Sequence, residues 1–352
     1  MAALGKIKVL VVDDSALVRQ VLTQGLSLDP GIEVVGAAMN PYQARDMIVK
    51  HKPDVVTLDV EMPRMDGVTF LRRLMPQFPL PVIMVSSLTQ RGKQITLDAM
   101  EAGAVDIVAK PSTDLSKGLQ AMMQELRTKV KIASTANVSH WKNKRIIKKP
   151  ANMALQETTD KVIAIGASTG GTEAIRLILE RLPANSPGIV VVQHMPPGFT
   201  RMFAERLNQK CALMVKEAEN GDRVIPGRVL IAPGDKHMQV RRQGGIYEVT
   251  CKEGPPVCGH CPSVESLFQS VAYAVGSNAV GVILTGMGRD GAAGITAMRR
   301  AGARTLGQDE DSCVVYGMPK EAFELGGIER QYPLEKMAEA ILFSIKKITA
   351  KA

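Results

Sequence analysis

Short apolar runs recur along this chain, and each is followed by a longer segment in which apolar residues have helical spacing. In the first third of the sequence the runs are rich in valine, isoleucine and leucine, and they lie at 8–12, 33–37, 55–58, 82–85 and 106–108. Amphipathic segments such as 16–26 and 43–50 separate them. Buried strands that alternate with helices are typical of a parallel sheet, because parallel strands need long crossover connections. The pattern therefore predicts an α/β fold.

The same alternation starts again after residue 160. Apolar runs lie at 162–165, 188–193 and 278–285, with a shorter one at 303–306. A chain of 352 residues is long enough for two domains, each with its own core. We predict an α/β chain of two domains. The first is a (βα)5 domain over residues 5–125, and the second is a doubly wound, mostly parallel α/β domain over residues 159–348.

A strongly basic segment separates the two patterns. Between Arg127 and Pro150 the sequence holds eight lysines and arginines and no acidic residue, which is nearly the whole excess behind the net charge of +9. We predict a solvated basic linker over residues 126–158, and the alternative is a basic surface that contacts an acidic partner. One aromatic residue, Trp141, does not make a stacking platform for bases. We therefore expect no nucleic-acid partner.

The sequence also favours one cellular compartment. No apolar run reaches the roughly 20 residues that a membrane-spanning helix needs. The N-terminal residues lack the small-residue cleavage site of a signal peptide. The five cysteines, an odd number, fit reduced thiols. These features predict a cytoplasmic location.

Polar residues gather where the strands of the first domain end, and they are Asp13, Asp14, Asp59, Ser86 and Lys110. In an open α/β sheet the carboxyl ends of the strands line the ligand crevice. Three carboxylates that converge there repel one another unless a cation lies among them, and oxygen ligands of this kind suit Mg²⁺. A hydroxyl and an ammonium opposite them can bind phosphate oxygens. Taken singly, each residue is better explained as a helix cap or a loop charge, and only the joint placement at five strand ends favours an ion and phosphate site.

These residues lie in motifs that resemble the receiver domain of two-component response regulators, a flavodoxin-like fold. The motifs are 11-VVDDS-15, 57-TLDVEMPRMDG-67, 84-MVSS-87 and 108-VAKPS-112. The resemblance implies that Asp59 accepts a phosphoryl group from a histidine kinase. It also implies Mg²⁺ ligands at Asp13, Asp14, Asp59 and the backbone carbonyl of Glu61, and phosphoryl contacts from Ser86 and Lys110. The aromatic switch position usual in receivers holds Ile107, which leaves open how the signal spreads.

In the second domain a serine, a histidine and an aspartate each follow a predicted strand. Ser168 lies in 166-GASTG-170, a G-x-S-x-G spacing typical of a nucleophile on a tight strand-to-helix turn. His194 can take the serine proton, and Asp290 can orient the imidazole. Backbone N–H groups near Thr169 or Met287 can bind the oxyanion. Each residue taken alone also fits an ordinary turn or core position, so the joint placement carries the hypothesis.

Two other readings of this half stay open. The G-x-G-x-x-G spacing at 286–291, with acidic residues at 309–310, is like a dinucleotide site, but only a short strand is predicted between the two. The spacing of Cys258, His260 and Cys261 is like half of a zinc site. The second close pair that a tetrahedral zinc site needs is missing, so free cysteines are the better interpretation.

The second half resembles the catalytic domain of the bacterial chemotaxis methylesterases. The motifs shared with that family are GASTGGTEAIR at 166–176, QHMPPGFTRMFAERLN at 193–208, IAPGDKHM at 231–238 and GVILTGMGRDGAAG at 281–294. The resemblance implies a phosphorylation-activated serine esterase, the protein-glutamate methylesterase and protein-glutamine glutaminase of sensory adaptation. It would demethylate γ-glutamyl methyl esters, and deamidate glutamines, on methyl-accepting chemotaxis receptors.

The resemblance also sets the expected partners and the expected regulation. The esterase step needs no cofactor, a monomer is expected, and the membrane is reached only through the receptors. In the unphosphorylated state the receiver would obstruct Ser168. One departure from the family is Cys261, which replaces an arginine before Pro262. The alternatives are receivers whose output domain binds a dinucleotide or DNA.

Overall fold

A computed structural model describes residues 5–87, 89–111, 115–139, 141 and 160–349. The chain forms two compact units that divide between Arg145 and Ile146. Each unit is built on a parallel sheet, so the predicted two-domain α/β fold is confirmed. Among the described helices, none combines the length and the apolar character needed to cross a membrane.

The first unit is a five-stranded parallel sheet with strand order β2-β1-β3-β4-β5. Its strands are β1 (Ile7–Val12), β2 (Ile32–Ala38), β3 (Val55–Asp59), β4 (Val82–Ser86) and β5 (Asp106–Ala109). Its helices are α1 (Ala16–Ser27), α2 (Pro41–His51), α3 (Gly67–Gln77), α4 (Gln90–Ala102) and α5 (Leu115–Ala133). Every residue of β3 and β4 is buried. This explains why both strands appear in the sequence as continuous apolar runs.

Polar side chains begin these helices at the carboxyl edge of the sheet. Ser15 Oγ accepts a hydrogen bond from the N–H of Val18 at the start of α1, and Asp66 Oδ1 accepts one from Thr69 at the start of α3. Such caps satisfy N–H groups that have no partner within the helix. Helix α1 thus begins close to Asp13, while α3 begins after the 60–66 loop that follows Asp59.

The first unit extends further along the chain than predicted. Helix α5 continues to Ala133, eight residues beyond the predicted domain end at 125, and Leu126 and Val130 are fully buried. Trp141 lies against Met75 and Gly103, because a Cβ atom at Gly103 would come within 3.0 Å of the indole and within 3.0 Å of Met75. The start of the predicted linker at 126 is therefore too early. Residues 142–159, with the basic run 142–149, lie outside the described residues.

The second unit contains a seven-stranded sheet of order β14-β13-β12-β6-β7-β9-β8, in which all neighbouring strands are parallel. These strands are β6 (Val162–Ala167), β7 (Gly188–Gln193), β8 (Met214–Glu217), β9 (Arg228–Ile231), β12 (Ala279–Ile283), β13 (Arg304–Gln308) and β14 (Arg330–Tyr332). An antiparallel hairpin of β10 (His237–Gln243) and β11 (Ile246–Lys252) packs on α8.

The helices of this unit are α6 (Gly171–Leu179), α7 (Phe199–Lys210), α8 (Val264–Ala274), α9 (Ala292–Arg300), α10 (Met318–Glu324) and α11 (Leu334–Thr349). Helices α8 and α9 pack on each other, and so do α6 and α11. Strand order reverses where β6 lies between β12 and β7. In doubly wound sheets such a switch point opens a crevice at the carboxyl ends of the strands. The segment after β6 begins at Ser168.

Candidate active site

Ser168 directly follows β6, on a turn held from two sides. Its N–H donates to the carbonyl of Thr285 over 3.0 Å, and its own carbonyl accepts from the N–H of Gly171 over 2.7 Å. Gly170 has φ of 78°, and a Cβ atom there would come within 2.6 Å of Val314. This turn therefore needs glycine at 170. The result is a serine at the edge of the sheet, immediately before the first turn of α6.

His194 directly follows β7, and its ring lies between the other two predicted residues. The imidazole Nδ1 lies 3.0 Å from Ser168 Oγ, and Nε2 lies 2.7 Å from Asp290 Oδ2. The His194 side chain is 9% exposed and the Asp290 side chain 1%. The structure thus brings the three side chains into one hydrogen-bonded series, in which the histidine and the aspartate are largely closed to water and the serine is half-buried.

Asp290 does not follow its strand directly, because β12 ends at Ile283. Its carboxylate lies against the start of α8, where Oδ2 accepts from the N–H of Val264 and Oδ1 accepts from the N–H of Glu265 and from Ser263 Oγ. Helix N-termini favour negative charge, because their N–H groups point outward and the peptide dipoles align. Both oxygens of the Asp290 carboxylate therefore accept hydrogen bonds from the start of α8, and Oδ2 also faces His194.

Opposing effects act on the charge of Asp290. Burial alone would raise the pKa of this carboxyl, but the hydrogen bond and charge of His194, together with Ser263 and the Glu265 N–H, outweigh burial and hold its pKa below the ordinary value. Asp290 is therefore an anion throughout the neutral range. An anion at this place holds the Nε2–H tautomer of His194, which leaves Nδ1 as the acceptor that faces Ser168.

A second histidine covers the ring of the first. The rings of His194 and His260 stack with centroids 3.7 Å apart and planes inclined by 14°. His260 lies in a tight turn in which Val257 and His260 exchange backbone hydrogen bonds of 3.0 Å. The sequence pattern of this segment suggests half of a zinc site and gives no sign of a ring that covers His194. Neither the stacking nor the role of Ser263 has a local signal in the sequence, since both depend on contacts across the fold.

The residues predicted for the oxyanion lie on two loops that border the serine. Thr169 follows Ser168 and is buried, and Met287 follows Gly286 and is 46% exposed. The two loops approach closely, because a Cβ atom at Gly286 would lie 2.6 Å from Ser168 Cβ. The backbone N–H groups of both residues therefore remain candidates for binding an oxyanion.

The dinucleotide alternative meets a steric objection rather than the expected topological one. β12, α9 and β13 do form a parallel βαβ unit, and Asp309 follows β13, so the strand predicted to be too short is present. The first glycine of the 286–291 loop is nevertheless packed by other residues of the protein. Around Gly286 lie Ser168 and Met318, and Asp309 Oδ1 accepts from the backbone and hydroxyl of Ser312. Gly286 and Asp309, two of the residues that a dinucleotide site needs, are therefore already in contact with other parts of the fold.

In the first unit, three acidic residues come together at the carboxyl edge of the sheet. Asp13, Asp14 and Asp59 each offer one oxygen, and these oxygens lie within 4.8 Å of one another. Lys110 Nζ lies 2.8 Å from Asp13 Oδ2 and 3.0 Å from Asp59 Oδ1. This donor set of hard carboxylate oxygens suits Mg²⁺. The side chain of Glu61, two residues beyond Asp59, is exposed.

The pKa of Asp59 is shifted in the opposite direction from that of Asp290. Burial raises the pKa of the Asp59 carboxyl above its ordinary value; the Lys110 ammonium opposes the rise, and the Asp13 carboxylate adds to it. The pKa of Lys110 is also raised, because Asp13 and Asp59 outweigh the effect of its burial. The carboxylate of Asp59 is thus poorly compensated, and a cation bound beside it would complete the compensation.

Ser86 is buried and already has partners. Its hydroxyl accepts from Thr96 Oγ1 over 2.7 Å and lies 3.3 Å from the carbonyl of Gly92, both in α4. Donation from this hydroxyl to a phosphoryl oxygen would replace its donation to the carbonyl of Gly92 and could leave the bond from Thr96 in place. Ile107, at the switch position, is buried, and its carbonyl accepts from Lys129 Nζ of α5.

The cysteines of the second unit are free. Among the described residues, the acidic group at Asp13 is the place where metal-ligating side chains come close enough to share an ion. The segment from Cys258 to Cys261 does not form such a group. Burial raises the pKa of the thiols of Cys258 and Cys261, which disfavours the thiolate that binds zinc.

Two family models match the chain and divide it as the structure does. A model described as the CheB methylesterase matches residues 163–341, and one described as the response regulator receiver domain matches residues 9–123. The first covers more than half of the 352 residues. The chain belongs to the CheB methylesterase family.

Relatives of known name agree over nearly the full length. A protein-glutamate methylesterase/protein-glutamine glutaminase of Syntrophotalea carbinolica is 67% identical and covers 96% of this chain and 97% of that protein. One of Salmonella choleraesuis is 52% identical and covers 97% and 98%. The crystal structure of the Thermotoga maritima CheB methylesterase catalytic domain is 39% identical over 54% of this chain and all of that domain, with a TM-score of 0.51.

Proposed function

We propose that this chain is a phosphorylation-activated serine hydrolase, a protein-glutamate methylesterase and protein-glutamine glutaminase that acts on chemotaxis receptors. The observation that carries the proposal is the continuous hydrogen-bonded series from Ser168 through His194 to Asp290. Family membership and the names of the relatives support the same activity. The receiver family match supports regulation by a histidine kinase.

The geometry suits acyl transfer. Ser168 Oγ gives its proton to His194 Nδ1 and attacks the γ-carbonyl carbon of a glutamyl methyl ester. His194 then returns the proton to the methoxide, so that methanol leaves and a glutamyl ester of Ser168 forms. Water, deprotonated by His194, attacks this ester and releases glutamate. With glutamine as the substrate the same steps release ammonia.

Two further groups support these steps. Asp290, as an anion fixed by α8, holds the imidazole in the tautomer that accepts at Nδ1 and stabilises the imidazolium that follows. The N–H groups of Thr169 and Met287 are proposed to bind the oxyanion, a donor type worth roughly 10²–10³ in rate. No cofactor is proposed for this step.

Regulation is assigned to the first unit. Asp59 accepts the phosphoryl group, and Lys110 and Ser86 bind its oxygens. Asp13, Asp14, Asp59 and the backbone carbonyl of Glu61 would hold Mg²⁺, which when bound would neutralise the charge of the incoming phosphate. The new negative charge on Asp59 would then alter the contacts of Lys110.

The proposal is tested by methanol release from methylated receptor membranes, with and without a small-molecule phosphodonor. Wild-type protein should release methanol faster with the phosphodonor. Ser168→Ala and His194→Ala should abolish release and also block labelling by a serine-directed phosphonate. Retained turnover in Ser168→Ala would contradict the role of this residue. A monomeric state, a cytoplasmic location and the absence of a nucleic-acid partner remain predictions.

A further inference from the structure

The side chain of Gln193 connects the serine and histidine loops. It lies at the last position of β7, directly before His194, and is 4% exposed. Its Nε2 donates to the backbone carbonyl of Ser168 over 2.9 Å and to that of His194 over 3.1 Å. Both partners are carbonyl oxygens, which can only accept. The amide orientation is therefore determined, with Nε2 facing both loops.

This connection lies where the sheet stops holding the two loops together. Ala167 and Gln193 are the last paired residues of β6 and β7, and one more backbone bond of 3.2 Å joins the N–H of His194 to the carbonyl of Ala167. Beyond it the serine turns into α6 while the histidine enters the 195–198 loop. The Gln193 amide thus continues the link between the strands at the residues that carry the reacting groups.

One end of the Gln193 amide is satisfied and the other is not. Gln193 Oε1 is buried and has no hydrogen-bond partner among the described residues, and an unpaired buried acceptor is unfavourable. A Cβ atom at Gly171 would lie 2.1 Å from Oε1, so α6 must begin with glycine for the amide to fit. A methionine would fill similar space without an unpaired acceptor. A buried acceptor left unpaired beside reacting residues needs an explanation, and a functional role of the amide supplies one.

We propose that Gln193 is a positioning residue for the acyl-transfer step, and that its amide fixes the distance between Ser168 Oγ and His194 Nδ1. The proposal rests on the proposed function of those two residues. A displacement of about 1 Å at a reacting pair can cost roughly 10² in rate. Gln193→Met should therefore lower kcat roughly 10- to 100-fold and leave KM nearly unchanged, because the group acts on the chemical step and not on binding.

The experiment uses the full chain and measures kcat, KM and the rate of phosphonate labelling at Ser168. The matched control is Ser186→Ala, two residues before β7 begins. It removes the 2.7 Å hydrogen bond that the buried Ser186 donates to the carbonyl of Pro183. This control should lower the melting temperature and leave kcat unchanged. Gln193→Met should lower kcat and the labelling rate together.

A second variant covers the case in which Gln193→Met does not fold. In Gln193→Glu the side chain can donate one hydrogen bond when it is protonated and none when it is ionised. The ratio of variant to wild-type kcat should therefore rise as the pH falls, an effect that loss of packing would not produce. A flat ratio, a wild-type kcat in Gln193→Met, or an equal kcat loss in Ser186→Ala would overturn the positioning role. Turnover retained in Ser168→Ala would instead overturn the proposed function.

Discussion

Asp59 and Asp290 are both buried aspartates at the carboxyl edge of a parallel sheet, yet their pKa values move in opposite directions. Burial acts on both carboxyls in the same sense and raises the pKa of each. Asp290 has a helix N-terminus, a hydroxyl and an imidazole as donors. Asp59 has the Val60 N–H, shares Lys110 with Asp13, and lies beside another carboxylate.

The contrast separates two uses of one side chain. An acid whose oxygens are all held by donors is a stable support for a neighbouring group, and this suits Asp290 beside His194. An acid whose charge is incompletely compensated retains a reactive oxygen and room for a cation, and this suits a phosphoryl acceptor. The hydrogen-bond donors and charges around each carboxylate, rather than its burial or its position in the sheet, decide which of the two uses it suits.

The largest expected difference between the two acids is in basal turnover. Asp290→Asn should lower kcat by about 10⁴, because the amide favours the wrong imidazole tautomer. Asp59→Asn should leave methanol release without phosphodonor unchanged. The assay is methanol release from methylated receptor membranes. An equal loss of basal kcat in Asp290→Asn and Asp59→Asn would contradict the assignment of Asp290 as the support of His194 and of Asp59 as the phosphoryl acceptor.

Activation should show the reverse dependence. Asp59→Asn should lose the entire response to phosphodonor. Wild-type protein treated with EDTA should lose it as well, because the acidic cluster of Asp13, Asp14 and Asp59 would then have no divalent counter-ion. Asp290→Asn should still incorporate phosphate, measured with radiolabelled phosphodonor. Continued activation in Asp59→Asn would exclude this residue as the acceptor.

A smaller effect is expected from the ring that stacks on His194. Stacked aromatic pairs contribute about 0.5–1.5 kcal/mol, so His260→Ala should lower kcat roughly 2- to 10-fold. His260→Phe keeps a flat ring and should retain most of the activity. The kcat values of the two variants show whether the support of His194 by Asp290 is complemented by the ring of His260 that stacks on its face. Equal losses in both would contradict a role for stacking.

The smallest expected effects of Asp290→Asn and Asp59→Asn are on the free energy of unfolding, and the two changes should have opposite signs. Asp290→Asn leaves buried donors unpaired and should lower the free energy of unfolding by about 1–3 kcal/mol. Because the folded pKa of Asp290 lies below 3.8, the stabilisation is present above pH 3.8 and is lost as the pH falls through the folded pKa. Denaturant unfolding of both proteins across this range is the measurement.

For Asp59 the direction is reversed. The folded pKa of Asp59 lies above 3.8. Between pH 3.8 and that folded pKa the folded chain therefore binds more protons than the unfolded chain, and the free energy of unfolding falls as the pH rises through this interval. Asp59→Asn should therefore be more stable than wild type at neutral pH, and the difference should vanish below pH 3.8. A less stable variant at neutral pH would show that the bond to Lys110 outweighs burial.

Much of this comparison could be predicted from local sequence. The observed strand β3 differs from the predicted one by a single residue, because buried parallel strands are continuous apolar runs. His194 was expected at the end of its strand and lies there. The support of Asp290 by α8 could not be predicted, since Ser263 lies 27 residues away along the chain. The link through Gln193 also depends on which strands are neighbours, which no local pattern states.

The length of α5 has a practical consequence for dissecting the protein. A fragment that stopped at residue 125 would lack Leu126 and Val130, two fully buried side chains, and each such loss costs about 2–5 kcal/mol. It would also lack Lys129, which pairs with Asp106 and Glu125. A recombinant first unit meant to fold by itself should therefore include Trp141, so that the indole packed against Gly103 is retained.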